Sequence, residues 1–84
     1  ITYVCYENGA FGGYVRALPD DGFAIYISEL FVVPELRNRT IGRMLIAKVK
    51  MNFEHLTVYV LSDEDAYYEN LSYKKVGSVF EIHE

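Results

Sequence analysis

The chain contains no tryptophan, one cysteine, two histidines and two prolines. Cys5 alone cannot close an internal disulfide, and His55 and His83 lack Cys or His partners at metal-ligand spacing, so no disulfide framework and no metal are expected. This use of thiols fits a reducing, cytoplasmic setting. No apolar run approaches the roughly 20 residues needed to span a bilayer, and no charged-then-apolar leader opens the sequence, so no membrane partner is expected. Long lysine or arginine runs are missing too. With 8 basic against 12 acidic side chains the net charge is −4, which disfavours nucleic acid as a partner.

What is present is a composition able to fold. The 84 residues are 51% hydrophobic, 24% charged and 15% aromatic, which excludes disordered and fibrous classes and leaves room for a single domain over 1–84. At this size roughly 60% of the unfolded chain's surface can be buried, so stability should be marginal and sensitive to ligands. Ile1, not Met, stands first, as expected for a fragment or a processed product.

Thr2 to Glu7 is β-branched and aromatic, and Asn8-Gly9 accepts the positive φ angles of a two-residue hairpin turn. The return strand is expected from Ala10 to Leu18 with a bulge at Gly12-Gly13, then a turn at Pro19-Asp20-Asp21-Gly22. Phe23 to Val33 reads as a long, central third strand whose nearly continuous apolar content implies cover on both faces. Pro34 ends it. The run TIGRMLIAKVKM then places Ile41, Met44, Leu45 and Val49 on one side of a helix, with Arg43 and Lys50 opposite. Leu56 to Leu61 alternates as a strand, so the third and fourth strands should be parallel across a βαβ unit. Ser62 and Asp65 fit a helix-capping pattern, predicting a short helix from Asp63 to Leu71, and Tyr73 to Ile82 alternates enough for a last strand with a bend at Gly77. The expected fold class is α/β in the broad sense, an α+β mixed sheet of antiparallel strands followed by a βαβ unit and a helix-strand end.

The loop between the third strand and the helix carries the chemistry. A helix N-terminus leaves its first amides without intrahelical partners and bears about half a positive charge, which suits it to phosphate. Arg37, Arg39 and Arg43 add cationic side chains there in an otherwise acidic chain, although an ordinary turn with solvated arginines has the same spacing. Neither a G-x-x-x-x-G-K-S/T phosphate loop nor a dinucleotide G-x-G-x-x-G motif exists.

The run Val32-Val33-Pro34-Glu35-Leu36-Arg37-Asn38-Arg39-Thr40-Ile41-Gly42 resembles the acyl-CoA loop V-x-P-x-x-Q/R-x-x-G-x-G/A of the GNAT family of N-acetyltransferases, with Thr40 in place of the first glycine. Tyr67-Tyr68-Glu69-Asn70-Leu71-Ser72-Tyr73-Lys74-Lys75-Val76-Gly77 is similar to the family's second signature, F-Y-E-K-x-G-F-K-x-V-G, with Ser72 in place of a glycine. The resemblance covers roughly Tyr3 to Val79 and implies a GNAT-like acyl-CoA N-acyltransferase core, without the first strand and helices that usually precede it. It further implies direct transfer of an acetyl group from acetyl-CoA, as cosubstrate, to a primary amine on a small molecule or protein.

Carried over by position, the amides of Arg37, Asn38, Arg39, Thr40, Ile41, Gly42 and Arg43 would hold the pyrophosphate. Phe31, Val32 and Val33 would pair with the pantetheine arm where the parallel strands splay near Pro34. Tyr68 matches the tyrosine that protonates or hydrogen-bonds the departing thiolate, though taken alone it is one of eight tyrosines packing a small core. Glu29, the one acidic residue between Gly22 and Pro34, is the base candidate, set against a solvent-facing or arginine-paired glutamate. Ser28 should point to the other face. The rival readings are a non-catalytic acyl-CoA-binding regulatory module and a small protein-interaction domain. An open sheet edge near Tyr3, Tyr6 and Tyr14 predicts cover by a homodimer partner or by further chain.

Overall fold

The structure, a computed structural model, describes residues 1–37 and 40–83. Four strands, β1 (Thr2–Glu7), β2 (Ala10–Asp20), β3 (Ala24–Val32) and β4 (Thr57–Val60), form one sheet in chain order. The first three pair antiparallel, whereas β4 runs parallel to β3. Helix α1 (Ile41–Asn52) makes the crossover and the short helix α2 (Asp65–Asn70) follows β4.

The first hairpin forms as its turn residues dictate, with Asn8 at φ 53° and Gly9 at φ 81°. Cys5 pairs with Gly13 and Tyr6 with Phe11, which leaves Gly12 as the extra residue of the expected bulge. Gly13 is required by close approach: a Cβ there would collide with the carbonyl oxygen of Phe31 on β3. β2 runs past Leu18 through Pro19 to Asp20, so the reversal itself falls on Asp21 to Phe23, with Gly22 at φ 90°.

The core is built from Val15, Ala17, Ile25 and Ile27 of the sheet against Ile41, Leu45, Ile46 and Val49 of α1, closed by Leu56 and Tyr68. Ile46 takes the place expected for Met44, which is 61% exposed, because the buried stripe follows positions 41, 45 and 49 with their neighbours 42 and 46. Lys50 Nζ donates to the Leu56 carbonyl at 2.7 Å and steadies the turn into β4.

Two expectations are corrected. β3 is interior in the sheet, but only one of its faces is covered by α1. Tyr26 and Phe31 are each 37% exposed on the other face. The last strand is also absent: residues 73–83 form no ladder, with Val79 and Phe80 73% and 81% exposed. Alternating side chains do not make a strand without a backbone partner. This segment instead borders a groove of about 460 Å³ beside β4, anchored by the Lys75–Asp65 ion pair at 3.2 Å.

Candidate active site

β3 and β4 part company early. Their pairing ends at Ile27 and Val60, with Leu61 N donating to Ile27 O at 2.9 Å, while β3 continues alone to Val32. A second bulge causes the divergence. Arg16 pairs with Glu29 and Ala17 with Ile27, so Ser28 is the extra residue, and a bulged strand bends. The bulge also changes which face each residue occupies. Ile25 and Ile27 face the helix before it, and Leu30 and Val32 pack against the core after it. Glu29, odd-numbered like Ile27, is thereby carried to the open face with Tyr26 and Phe31.

The gap widens into a cleft of about 760 Å³ between β3, the α1 N-terminus and α2. Val33 N donates to Gly12 O on β2 at 2.9 Å, so strand alternation turns the backbone groups of Leu30 and Val32 toward the cleft. The Val32 carbonyl there accepts from Arg37 Nε at 2.9 Å, and the same guanidinium lies 5.9 Å from the Phe31 ring centre. Phe31, Val32, Arg37, Thr40, Ile41, Gly42 and Arg43 all line the cleft, as does Tyr68. Val33 does not, and its N–H is already spent on β2. Asn38 and Arg39 lie outside the described residues.

At the α1 N-terminus the first intrahelical bond runs from Met44 N to Thr40 O at 2.9 Å, which leaves the amides of Ile41, Gly42 and Arg43 without helical partners. The first turn carries no acidic side chain to compete for them. Arg37 and Arg43 make this end of the cleft cationic, whereas Asp63 and Glu64 line it near α2. The lining therefore joins anion-seeking groups from α1 and its loop to cation-seeking carboxylates beside α2.

Thr40, where the family motif has glycine, is held at φ 67° and ψ 0°, a left-handed conformation that a β-branched residue adopts only under strain. Ser72, the other departure, also sits at φ 67°. It follows α2 in a Schellman motif: Ser72 N donates to Glu69 O at 2.9 Å and Tyr73 N to Tyr68 O at 3.1 Å. Both substituted glycines thus have one physical reason, a positive φ. The expected Ser62 cap takes another form, since its hydroxyl donates to the Asp65 carboxylate at 2.7 Å instead of to a backbone amide.

Tyr68 is buried, 9% exposed, on the face of α2 turned to the core and cleft. Burial, reinforced by the charges of Asp63 and Glu64, pushes its hydroxyl up to about 12, so it keeps its proton through the neutral range. Glu29 does not line the cleft. Its Oε1 lies 3.1 Å from Arg16 Nη2, and its Oε2 accepts from the Tyr14 hydroxyl at 2.9 Å, a bond that raises the Tyr14 pKa. The arginine-paired alternative is therefore the arrangement seen. Ser28 Oγ is engaged with Arg16 as well, accepting from Nε at 3.4 Å and donating to the carbonyl at 3.3 Å.

Sequence reasoning missed Tyr67 and Leu30. Tyr67 lines the cleft with its hydroxyl over Gly42, and Leu30 Cδ2 would lie 3.7 Å from a Cβ on that glycine. A signal for Tyr67 was its place beside Tyr68 in the second signature. Leu30 gave none, because the bulge that turns it inward is a product of pairing.

A bulged strand thus leaves its parallel neighbour and opens a cleft beside a helix N-terminus in a mixed α+β sheet. The model of the acetyltransferase (GNAT) domain matches residues 1–75, and the chain belongs to that family of acetyl-CoA-dependent N-acyltransferases. No curated protein matches it by sequence. Among solved structures it is similar to a GNAT family acetyltransferase of Streptococcus pneumoniae TIGR4, with 21% identity and a TM-score of 0.77 over 99% of this chain and 71% of that one. An aminoglycoside acetyltransferase from an uncultured soil metagenomic sample is 25% identical, with a TM-score of 0.80 over 98% of this chain and 64% of that one. The aminoglycoside N-acetyltransferase AAC(6')-Iy, solved in complex with CoA, is 15% identical, with a TM-score of 0.79 over 99% of this chain and 65% of that one. The chain thus spans less than two thirds of the length of the last two.

Proposed function

We propose that this chain transfers an acetyl group from acetyl-CoA to a primary amine. The observation that carries this reading is the polarity of one cleft. Free helix amides with Arg37 and Arg43 line it from α1 and the loop before it, and Tyr68 with Asp63 and Glu64 lines it from α2 and the turn before it. The residues present fit a pyrophosphate at the α1 N-terminus and an amide-bearing arm along the unpaired backbone of Leu30 and Val32. Acetyl-CoA supplies a thioester, an activated acyl group whose leaving thiolate needs only modest help.

Tyr68 provides that help as a hydrogen-bond donor. Complete proton transfer from a group at about 12 to a thiolate near 8.5 is uphill by about 5 kcal/mol, so the hydroxyl steadies the thiolate and solvent delivers the proton. Asp63 and Glu64 favour an acceptor arriving as an ammonium ion. Glu29, outside the cleft and half exposed, takes the amine's proton through water if it serves as base. The neighbours' aminoglycoside names support a small-molecule acceptor.

Titrating acetyl-CoA by calorimetry and then following thiol release with a panel of amines tests the reading. Binding with turnover is expected, along with stabilisation of about 2.7 kcal/mol at a hundredfold excess over Kd. Binding without turnover favours the regulatory module, and no binding at millimolar acetyl-CoA refutes both.

A further inference from the structure

Gly42 is buried in the first turn of α1, and the atom filling the space beside it belongs to α2: a Cβ on residue 42 would collide with the Tyr67 hydroxyl oxygen. The Tyr67 ring in turn meets the Tyr68 ring edge-on, with centres 5.0 Å apart and planes at 86°. Three groups are therefore in series, from the α1 N-terminal backbone, through one phenol, to the buried phenol of Tyr68. We propose that Tyr67 is a positioning residue that braces the Tyr68 ring against Gly42, so that the place of the thiolate's hydrogen-bond donor is set from the α1 N-terminus.

The geometry favours a brace over simple filling. Consecutive residues of a helix point about 100° apart, so each ring of the pair reaches a different neighbour. Edge-to-face contact restrains one ring by the other. Burial raises the Tyr67 pKa, so its hydroxyl remains neutral and compact at ordinary pH. Tyr68 shares the buried cluster with Ile41, Leu45, Ile46 and Val49 of α1, so the Tyr67 ring adds an edge contact to an aliphatic bed.

The inference rests on the acyl-transfer reading, and a double-mutant cycle separates the two. Gly42→Ala drives a methyl into the Tyr67 hydroxyl and should shift both rings, lowering kcat by about tenfold, since displacements near 1 Å at a reacting centre cost up to a hundredfold. Tyr67→Phe removes the obstructing oxygen and leaves the ring carbon 3.3 Å from the new Cβ, tight but accommodated by a small shift. The double variant Gly42→Ala/Tyr67→Phe should therefore recover kcat to within about threefold of Tyr67→Phe alone. Tyr67→Leu, which keeps bulk but loses the ring edge, should lower kcat more than it changes the Kd for CoA. The melting temperatures of the unmodified chain and its variants without ligand report the contact apart from chemistry, and the double variant should melt above Gly42→Ala alone. If the unmodified chain turns over acetyl-CoA but the double variant recovers neither kcat nor melting temperature, the brace is overturned. Equal losses in kcat and CoA affinity for Tyr67→Leu overturn it too. An unmodified chain that binds CoA without turnover refutes the acyl-transfer reading, and the positioning role falls with it.

Discussion

Replacing Thr40 by glycine should stabilise the protein. Thr40 is the N-cap of α1 and takes φ 67° and ψ 0°, yet its side chain makes no capping hydrogen bond and is exposed, so little is lost by removing it. The left-handed conformation costs an L-residue roughly 1–2 kcal/mol. Glycine escapes that cost but gives the unfolded chain extra freedom worth about 0.4–1 kcal/mol. The balance is a gain of about 0.8 kcal/mol, within limits of about 0 and 1.6, equivalent at the centre to about 3–6 °C in Tm for a domain of this size. Chemical denaturation of Thr40→Gly beside Thr40→Ala measures it, because alanine retains the Cβ and hence the strain. If Thr40→Gly is no more stable than Thr40→Ala, the strain argument fails. Under the proposed function Thr40→Gly also lets a phosphate closer to the helix amides, so the Kd for acetyl-CoA should fall, which calorimetry reads directly.

Ser72→Gly, relieving the same conformation at the end of α2, should stabilise by a similar amount, and an unchanged denaturation midpoint would count against the shared explanation. Gly13→Ala pushes a methyl against the Phe31 carbonyl, and a loss of about 2 kcal/mol in the same assay is expected. Tyr68→Phe should lower turnover about ten- to a hundredfold with little change in CoA affinity; equal activity would remove the donor role. Folded Tyr68 keeps its proton to about pH 12, whereas an unfolded tyrosine loses it near 10. The stability this difference confers is whole below pH 10 and drains away between 10 and 12, as the folded state binds the additional proton, so Tyr68→Phe should flatten that decline. Glu29→Gln breaks the Arg16 ion pair and should alter the pH profile of turnover only if the carboxylate accepts the amine's proton, so an unchanged profile assigns it a structural part.

Local chemistry was legible in the sequence wherever a few neighbouring residues decide the outcome. Asn8-Gly9 specified its turn, Gly12 its bulge, and the period of Ile41, Leu45 and Val49 a helix with one buried face. The two signatures, Val32 to Gly42 and Tyr67 to Gly77, were enough to identify the family. Pairing decided the rest. The bulge at Ser28 exists only because β2 and β3 align as they do, and it alone turns Glu29 to the open face and Leu30 inward. Residues 73–82 have a strand's alternation but no ladder, since hydrogen bonds between strands come from a partner that no local pattern supplies. The contact of Tyr67 with Gly42 joins residues 25 positions apart, and only the packing of α2 against α1 brings a phenol to the one place on that helix where a Cβ would not fit.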